Sequence, residues 1–173
     1  MNNQSKTLTL KKEALLTLAV LLAAAIAAPI FFKQQLITGT IVNATLILAV
    51  SLLGARDGLI VGLLPSSVAL ATGLLSPLLA PMIPFIILGN SILVLAFAYL
   101  SKLNFWAGAL VGSLLKFAFL YGTSTVVIGL LINKQVAPAV SQMLSWPQLI
   151  TALAGSIAAF AILKGLKRFQ PAV

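Results

Sequence analysis

The chain has 173 residues, of which 61% are hydrophobic and only 8% charged, with a mean hydropathy of +1.14. A soluble domain of this length needs far more polar surface, so the composition indicates an integral membrane protein and excludes a soluble domain with one anchor. Eleven basic and two acidic residues give a net charge of +9, and the basic residues cluster at the ends of apolar segments. Lipid headgroups explain that placement better than nucleic acid, which is not an expected partner.

The chain contains neither cysteine nor histidine, which excludes disulfides, thiolate-held clusters and histidine-ligated metal sites. The two carboxylates, Glu13 and Asp57, both fall near the ends of apolar segments. The commonest nucleophiles and acid–base groups are therefore missing. We expect neither an enzyme nor a resident cofactor or metal ion.

Six apolar segments follow one another and predict six membrane-spanning helices in a single bundle. They cover residues 13–32, 38–53, 58–73, 84–100, 105–125 and 146–163. The first is longer than a signal-peptide core, which favours a retained helix. The chain is thus predicted to be one transmembrane domain, 1–173, with tails at 1–12 and 164–173.

The distribution of basic residues predicts that both tails are cytoplasmic. With that orientation, the outer side holds only Lys33 and Lys134. The inner side holds eight basic residues: Lys6, Lys11, Lys12, Arg56, Lys102, Lys164, Lys167 and Arg168. This is the bias expected of cytoplasmic loops.

The predicted connections differ in length between the two sides. The inner ones, 54–58 and 101–104, are short, whereas the outer ones, 33–39, 74–84 and 133–147, are long and proline-rich. Long, semi-rigid loops on one face commonly frame a binding site.

Two stretches of the chain resemble each other, and both precede a helix that opens with a pair of glycines. "NATLILAV" (43–50) resembles "NSILVLAF" (90–97). A genuine repeat would make the second and third helices equivalent to the fourth and fifth in parallel orientation, whereas apolar sequences also produce such matches by chance. The glycine pairs, Gly58 with Gly62 and Gly108 with Gly112, favour close packing within the bundle.

A stripe of small residues runs along the first helix, in which Ala19, Ala23 and Ala27 recur every four residues. Such a stripe lets helix backbones approach closely. Packing inside the bundle and docking of another subunit both remain open.

Lys116 lies near the middle of the fifth predicted helix. It follows Phe105 by about 16 Å and precedes Thr125 by about 13 Å at 1.5 Å per residue. It shares a helix face with small and polar residues, which predicts that it points into the bundle. Reaching the outer headgroups is disfavoured because helical side chains lean toward the N-terminus.

No carboxylate of the chain is placed to pair with Lys116, because Glu13 and Asp57 lie at inner helix ends. The lysine must therefore be deprotonated, be solvated by water and neutral oxygens, or be paired with a molecule from outside. These three alternatives stay open at this point.

Other polar side chains have compatible depths in the outer halves of their helices. Asn43 lies about 8 Å and Asn90 about 9 Å below the outer helix ends. We expect an outward-facing pocket with Lys116 at its floor, the asparagines on its walls and Trp146 at its mouth. Interhelical hydrogen bonds for the asparagines and an interfacial anchor for Trp146 remain alternatives. The predicted substrate-binding residues are Lys116, Asn90, Asn43, Trp146, Gln148 and Ser113.

The chain resembles a known family in its length, in its six predicted helices and in four stretches of its sequence. The stretches are "AVLLAAAIAA" (19–28), "TGTIVNA" (38–44), "LAPMIPFIILGN" (79–90) and "MLSWPQLITALAG" (143–155). They resemble the substrate-binding S component of energy-coupling factor (ECF) vitamin transporters. The resemblance implies that the chain captures a small organic micronutrient from outside, in the cytoplasmic (inner) membrane of a prokaryote.

The same resemblance implies partners, namely a transmembrane T component and a pair of cytoplasmic ATPases. It implies that Ala19, Ala23 and Ala27 contact the T component, and that the ligand pocket lies in the outer half near the fourth to sixth helices. The chain has no Walker motif, so ATP hydrolysis would belong to a partner. Asn2 replaces the histidine of metal-transporting relatives, which disfavours a metal cargo. A stand-alone secondary carrier or channel, or an assembly protein without a small ligand, remains the alternative.

Overall fold

The computed structural model describes residues 3–32, 34–73, 77–131 and 137–166, and these residues form helices and turns without a β-strand. This confirms the all-α prediction for the described part of the chain. The helices are α1 (Asn3–Phe31), α2 (Gln35–Leu53), α3 (Ala55–Ala71), a 3₁₀ helix (Pro77–Met82), α4 (Ile83–Leu100), α5 (Phe105–Leu131), α6 (Ala137–Leu144) and α7 (Trp146–Gly165).

Five of these helices, α1, α2, α4, α5 and α7, are long and apolar enough to cross a membrane. The remaining predicted span is α3, whose 17 residues extend about 25 Å, slightly less than the ~30 Å hydrocarbon core. The structure therefore supports a multi-pass membrane protein. The side on which the termini lie stays a prediction.

The structure differs from the predicted segments at three places. First, α1 begins at Asn3 rather than near residue 13, so most of the predicted N-terminal tail is helical. The predicted long connections also contain structure of their own, the 3₁₀ helix and α6. At six and eight residues, these elements are too short to stand out in a hydropathy pattern that detects spans of ~20 residues.

Two tight turns create the hairpins α2–α3 and α4–α5. Gly54 is the single residue between α2 and α3 and has a φ of 100°, a conformation that favours glycine. At the start of α5, Asn104 Oδ1 accepts a hydrogen bond of 2.7 Å from the Trp106 amide and so satisfies one unpaired donor of the helix N-terminus. Helices joined by such short turns are antiparallel neighbours.

The helix α2 occupies the centre of the bundle and packs against α1, α3, α4 and α7. Its residues 43–49 are buried without interruption. A helix that is buried on every face over this stretch has no exposed polar face there, so its sequence shows no amphipathic period. The main core forms around it, with Leu46, Val61, Leu93 and Phe97 among its fully buried side chains.

A second, smaller core lies between α5, α6 and the 3₁₀ helix. Met82, Leu120, Val140 and Leu144 are its buried members. Leu120 lies one helical turn after Lys116, on the side toward the C-terminal end of α5. The short elements therefore cover this end of the bundle with apolar side chains.

The two hairpins use the same packing contacts. In each hairpin, the two glycines of the second helix lie against two residues of the first helix. These are residues 46 and 50 in α2 and residues 93 and 97 in α4, which occupy the same places in the two similar stretches. These contacts are Gly58 with Val50, Gly62 with Leu46, Gly108 with Phe97, and Gly112 with Leu93. The packing of the glycines within the bundle is confirmed, and the matched contacts support a parallel repeat of α2–α3 by α4–α5.

Gly155 allows α2 and α7 to approach each other closely. The sequence alone did not predict this contact. A Cβ atom at this position would lie 2.7 Å from the Ala44 backbone nitrogen and 2.8 Å from the Thr40 carbonyl oxygen. Neither backbone atom can move without shifting α2 itself. Gly155 thus sets the distance between α2 and α7.

We expect Gly155→Ala to lower the free energy of unfolding by about 1–3 kcal/mol, because the added methyl group forces two packed backbones apart. Thermal unfolding in detergent micelles measures the change. Gly122→Ala on α5 is the matched control, since a Cβ atom there would meet nothing within 4 Å. Equal stability of the two variants would contradict the assigned role of Gly155.

Candidate functional site

Lys116 is buried inside the bundle and bonded to two asparagines from other helices. Its Nζ donates hydrogen bonds of 2.6 Å to Asn43 Oδ1 on α2 and of 2.8 Å to Asn90 Oδ1 on α4. Lys116 is only 2% exposed, and the two asparagines are 1% and 3% exposed. The structure therefore brings together three of the six predicted site residues around one amino group.

The inward direction of Lys116 follows from its place in a buried stripe along α5. Ala109, Ser113, Lys116, Leu120 and Ser124 recur every three or four residues and are all buried. Residues between them, such as those at positions 114 and 115, are exposed. The helix thus presents one face to the bundle interior, as the sequence predicted.

Both asparagines are oriented by hydrogen bonds on their amide nitrogens. Asn43 Nδ2 donates to Gly39 O at 2.8 Å and to Thr151 Oγ1 on α7 at 3.3 Å. Asn90 Nδ2 donates to Gly62 O on α3 at 3.1 Å. Since these nitrogens are committed to protein acceptors, the amide oxygens face the lysine. The resulting network joins α2, α3, α4, α5 and α7.

The contact between Asn90 and Gly62 lies beside a proline inside α3. Pro65 has no N–H, so the carbonyl four residues earlier, at Val61, lacks its helical donor. Polar side chains of neighbouring helices commonly satisfy backbone groups near such prolines in membranes. Asn90 donates instead to the next carbonyl, that of Gly62, and its approach is close because a Cβ atom at Gly62 would lie 3.3 Å from Asn90 Cβ.

The two recorded acceptors of Lys116 are neutral amide oxygens rather than carboxylates. Glu13 and Asp57 lie instead in the first half of α1 and the first turn of α3. Of the three alternatives that the sequence left open, the structure shows contact with neutral oxygens, and these two hydrogen bonds fit both the protonated and the deprotonated amine. Both amide oxygens depend on Lys116 as their donor, so lysine and asparagines stabilise one another.

Ser113 lies one turn before Lys116 on the same stripe and is fully buried. Its Oγ is the only buried side-chain polar atom without a hydrogen-bond partner among the described residues. The other buried hydroxyls behave differently, since each donates to a carbonyl three or four residues earlier in its own helix. These hydroxyls belong to Thr45, Ser124, Thr151 and Ser156.

Trp146 and Gln148 lie at the start of α7 and do not join the lysine network. Trp146 is 54% exposed. Gln148 Nε2 donates to the Met143 carbonyl at 2.9 Å, and Gln35 Nε2 donates to the same oxygen at 2.7 Å. No hydrogen bond recorded for the described ranges joins either residue to Lys116. Gln148 instead fastens the end of α6 to α7, and Gln35 fastens it to α2.

Thr151 belongs to the network but was absent from the predicted site. Its hydroxyl accepts from Asn43 Nδ2 and donates to the Gln148 carbonyl at 3.2 Å. The sequence did place the Thr151 hydroxyl five residues into the sixth predicted helix, at a depth in the bundle similar to that of Asn43. Its partner, 108 residues away in sequence, could not be identified without the fold.

The alanine stripe lies on the outside of the bundle. Ala19 and Ala23 are exposed and Ala27 is partly exposed, whereas Ala25 and Ala28 face the core. The structure thus separates two alanine faces of α1, one packed against the core and one exposed on the described part of the bundle.

Comparison with models of known protein families, with curated proteins and with solved structures gave no match to this chain.

Proposed function

We propose that the chain is the membrane-embedded substrate-binding subunit of an ECF-type importer. In this role it captures a small organic micronutrient from outside the cell. It then delivers the micronutrient inward together with a transmembrane T component and two cytoplasmic ATPases. The resemblance in sequence stretches and helix number suggests this class, and the chain would reside in the cytoplasmic membrane of a prokaryote.

The observation that carries the proposal is the buried Lys116 between Asn43 and Asn90. A lysine at the centre of a membrane helix costs about 3 kcal/mol on insertion scales. Packing alone does not require it, since an apolar side chain at this position would avoid the cost. Ionisable residues within membrane helices that face a bundle interior commonly mark substrate or ion pathways.

The exposed face of α1 supports the partner part of the proposal. Of the five helices that could span a membrane, α1 is the least buried. Ala19 and Ala23 lie on that exposed face and offer a surface on which a partner helix could approach closely. A partner docked there would leave the lysine network on the other helices undisturbed.

Reconstitution tests the proposal directly. The tagged chain is purified from a prokaryotic host, and small molecules carried through purification are identified by mass spectrometry. The chain is then placed in liposomes alone or with its co-purifying T component and ATPases. We expect uptake of the identified compound only with the partners and ATP.

Two outcomes would contradict the importer proposal. Uptake by the chain alone in ATP-free liposomes would identify a secondary carrier or channel. Absence of both a bound small molecule and the partner subunits would instead favour an assembly protein.

A further inference from the structure

We propose that the ligand of this site carries an oxygen acceptor, a carboxylate or similar oxyanion, that binds between Lys116 Nζ and Ser113 Oγ. The inference rests on the proposed function, because it assigns a chemical class to the cargo of the same site. It also gives the asparagines a different role from the predicted one. Asn43 and Asn90 position the lysine, and Lys116 and Ser113 contact the ligand.

The first argument is the number of hydrogen-bond donors at the site. When it is protonated, Lys116 has three N–H donors, and it uses two of them on Asn43 Oδ1 and Asn90 Oδ1. Asn43 Nδ2 uses both of its N–H donors, on Gly39 O and Thr151 Oγ1, whereas Asn90 Nδ2 uses one, on Gly62 O. What the cluster still offers a ligand is therefore one N–H of the protonated lysine, one N–H of Asn90 and the hydroxyl of Ser113.

The second argument is the unsatisfied hydroxyl of Ser113. A buried polar group without a partner destabilises the fold and calls for an explanation such as a missing ligand or water. Ser124, on the same helix and equally enclosed, avoids this by donating to the Tyr121 carbonyl at 2.7 Å. Ser113 makes no such bond within the described chain, so its hydroxyl is available to a further molecule.

The third argument is the spacing of the two groups. Residues three apart on a helix have Cβ atoms about 5–6 Å from each other on the same face. Lysine side chains lean toward the helix N-terminus, which here is the direction of Ser113. One oxyanion can accept hydrogen bonds from both side chains, whereas a cation would be repelled by the protonated lysine.

A water molecule could supply the same acceptor oxygen, so the test separates water from a ligand. The purified chain, without partner subunits, is heated in detergent at constant ionic strength with graded concentrations of three compounds. Benzoate and benzamide have the same shape and differ in charge, and benzylamine is a cation of similar size. Formate and acetate, each compared with its amide, extend the series to smaller sizes. We expect a concentration-dependent rise in the unfolding temperature for carboxylates alone.

Variants assign the effect to the two side chains. We expect Ser113→Ala to weaken the apparent carboxylate affinity about tenfold and Lys116→Met to abolish the response. Ser124→Ala removes a hydroxyl of equal burial from the same helix and should leave the affinity unchanged. Ser113→Cys preserves the volume and packing of the site and replaces the hydroxyl by a weak donor, so it provides the measurement if the alanine variant folds poorly.

The outcomes separate this inference from the proposed function. No carboxylate response in the wild-type chain, or wild-type affinity in the Ser113 variants, would overturn the inference and leave water as the third partner. ATP-driven uptake, with the partner subunits, of a compound lacking any acidic group would also overturn it while supporting the importer. Carboxylate binding in a chain that never associates with those subunits would refute the importer alone.

Discussion

Replacing Lys116 by methionine is expected to weaken ligand binding about 100-fold or more. The change shortens the side chain by one heavy atom and removes the amine donor, and loss of one partner from a buried charge-paired contact costs about 2–5 kcal/mol. The variant also leaves Asn43 Oδ1 and Asn90 Oδ1 without the donor they share. We therefore expect a loss of about 1–3 kcal/mol in stability as well. Ligand retention during purification and thermal unfolding of the free chain measure the two effects.

A second substitution distinguishes loss of ligand contact from loss of fold. Asn90→Leu alone removes one of the two acceptors of Lys116 and should also destabilise. In the Lys116→Met/Asn90→Leu double variant, both members of the bond are gone, so the loss should be smaller than the sum of the single losses by about 1 kcal/mol. Ligand binding should not return. A folded Lys116→Met variant with wild-type affinity would restrict the lysine to a structural role.

Replacing Ala23 by leucine on α1 is expected to abolish assembly with the T component and the ATPases. The side chain is exposed in the chain by itself, so the larger residue should change its stability by less than about 0.5 kcal/mol. In a close helix–helix contact, however, the added atoms would hold the two backbones apart. Co-purification of the three partner subunits and ATP-dependent uptake are the measurements.

Ala118→Leu is the matched control for this experiment, because Ala118 is exposed on α5 rather than on α1. It should leave assembly intact. A complex that survives Ala23→Leu and Ala19→Leu would place the docking surface elsewhere. Marked destabilisation of the free chain by Ala23→Leu would show that this face packs within the bundle.

The features that the sequence predicted well are those encoded in a single helix. Length and hydropathy locate the spans because each must cross the same thickness of bilayer. The spacing of Ala109, Ser113 and Lys116 shows which face of α5 is buried. The glycine pairs predict close packing because small residues, glycine most of all, let helix backbones approach each other closely.

The features that the sequence did not predict depend on which helices become neighbours. Gly155 is one small residue among several, and its importance comes from the α2 backbone lying against it. From the sequence alone, either the oxygen or the nitrogen of the Asn43 and Asn90 amides could have faced Lys116. Acceptors on three helices bind the amide nitrogens, so the oxygens face the lysine. Trp146, which the sequence placed at a pocket mouth, is 54% exposed, and its contact with a ligand stays a prediction.

The lysine network crosses α2, α3, α4, α5 and α7, and none of its recorded hydrogen bonds involves a described residue of α1. In the proposed function, ligand binding and attachment to the T component and ATPases would then reside in separate parts of one small chain. Substitutions on α5 and its neighbours could retune the cargo while the α1 surface stays constant.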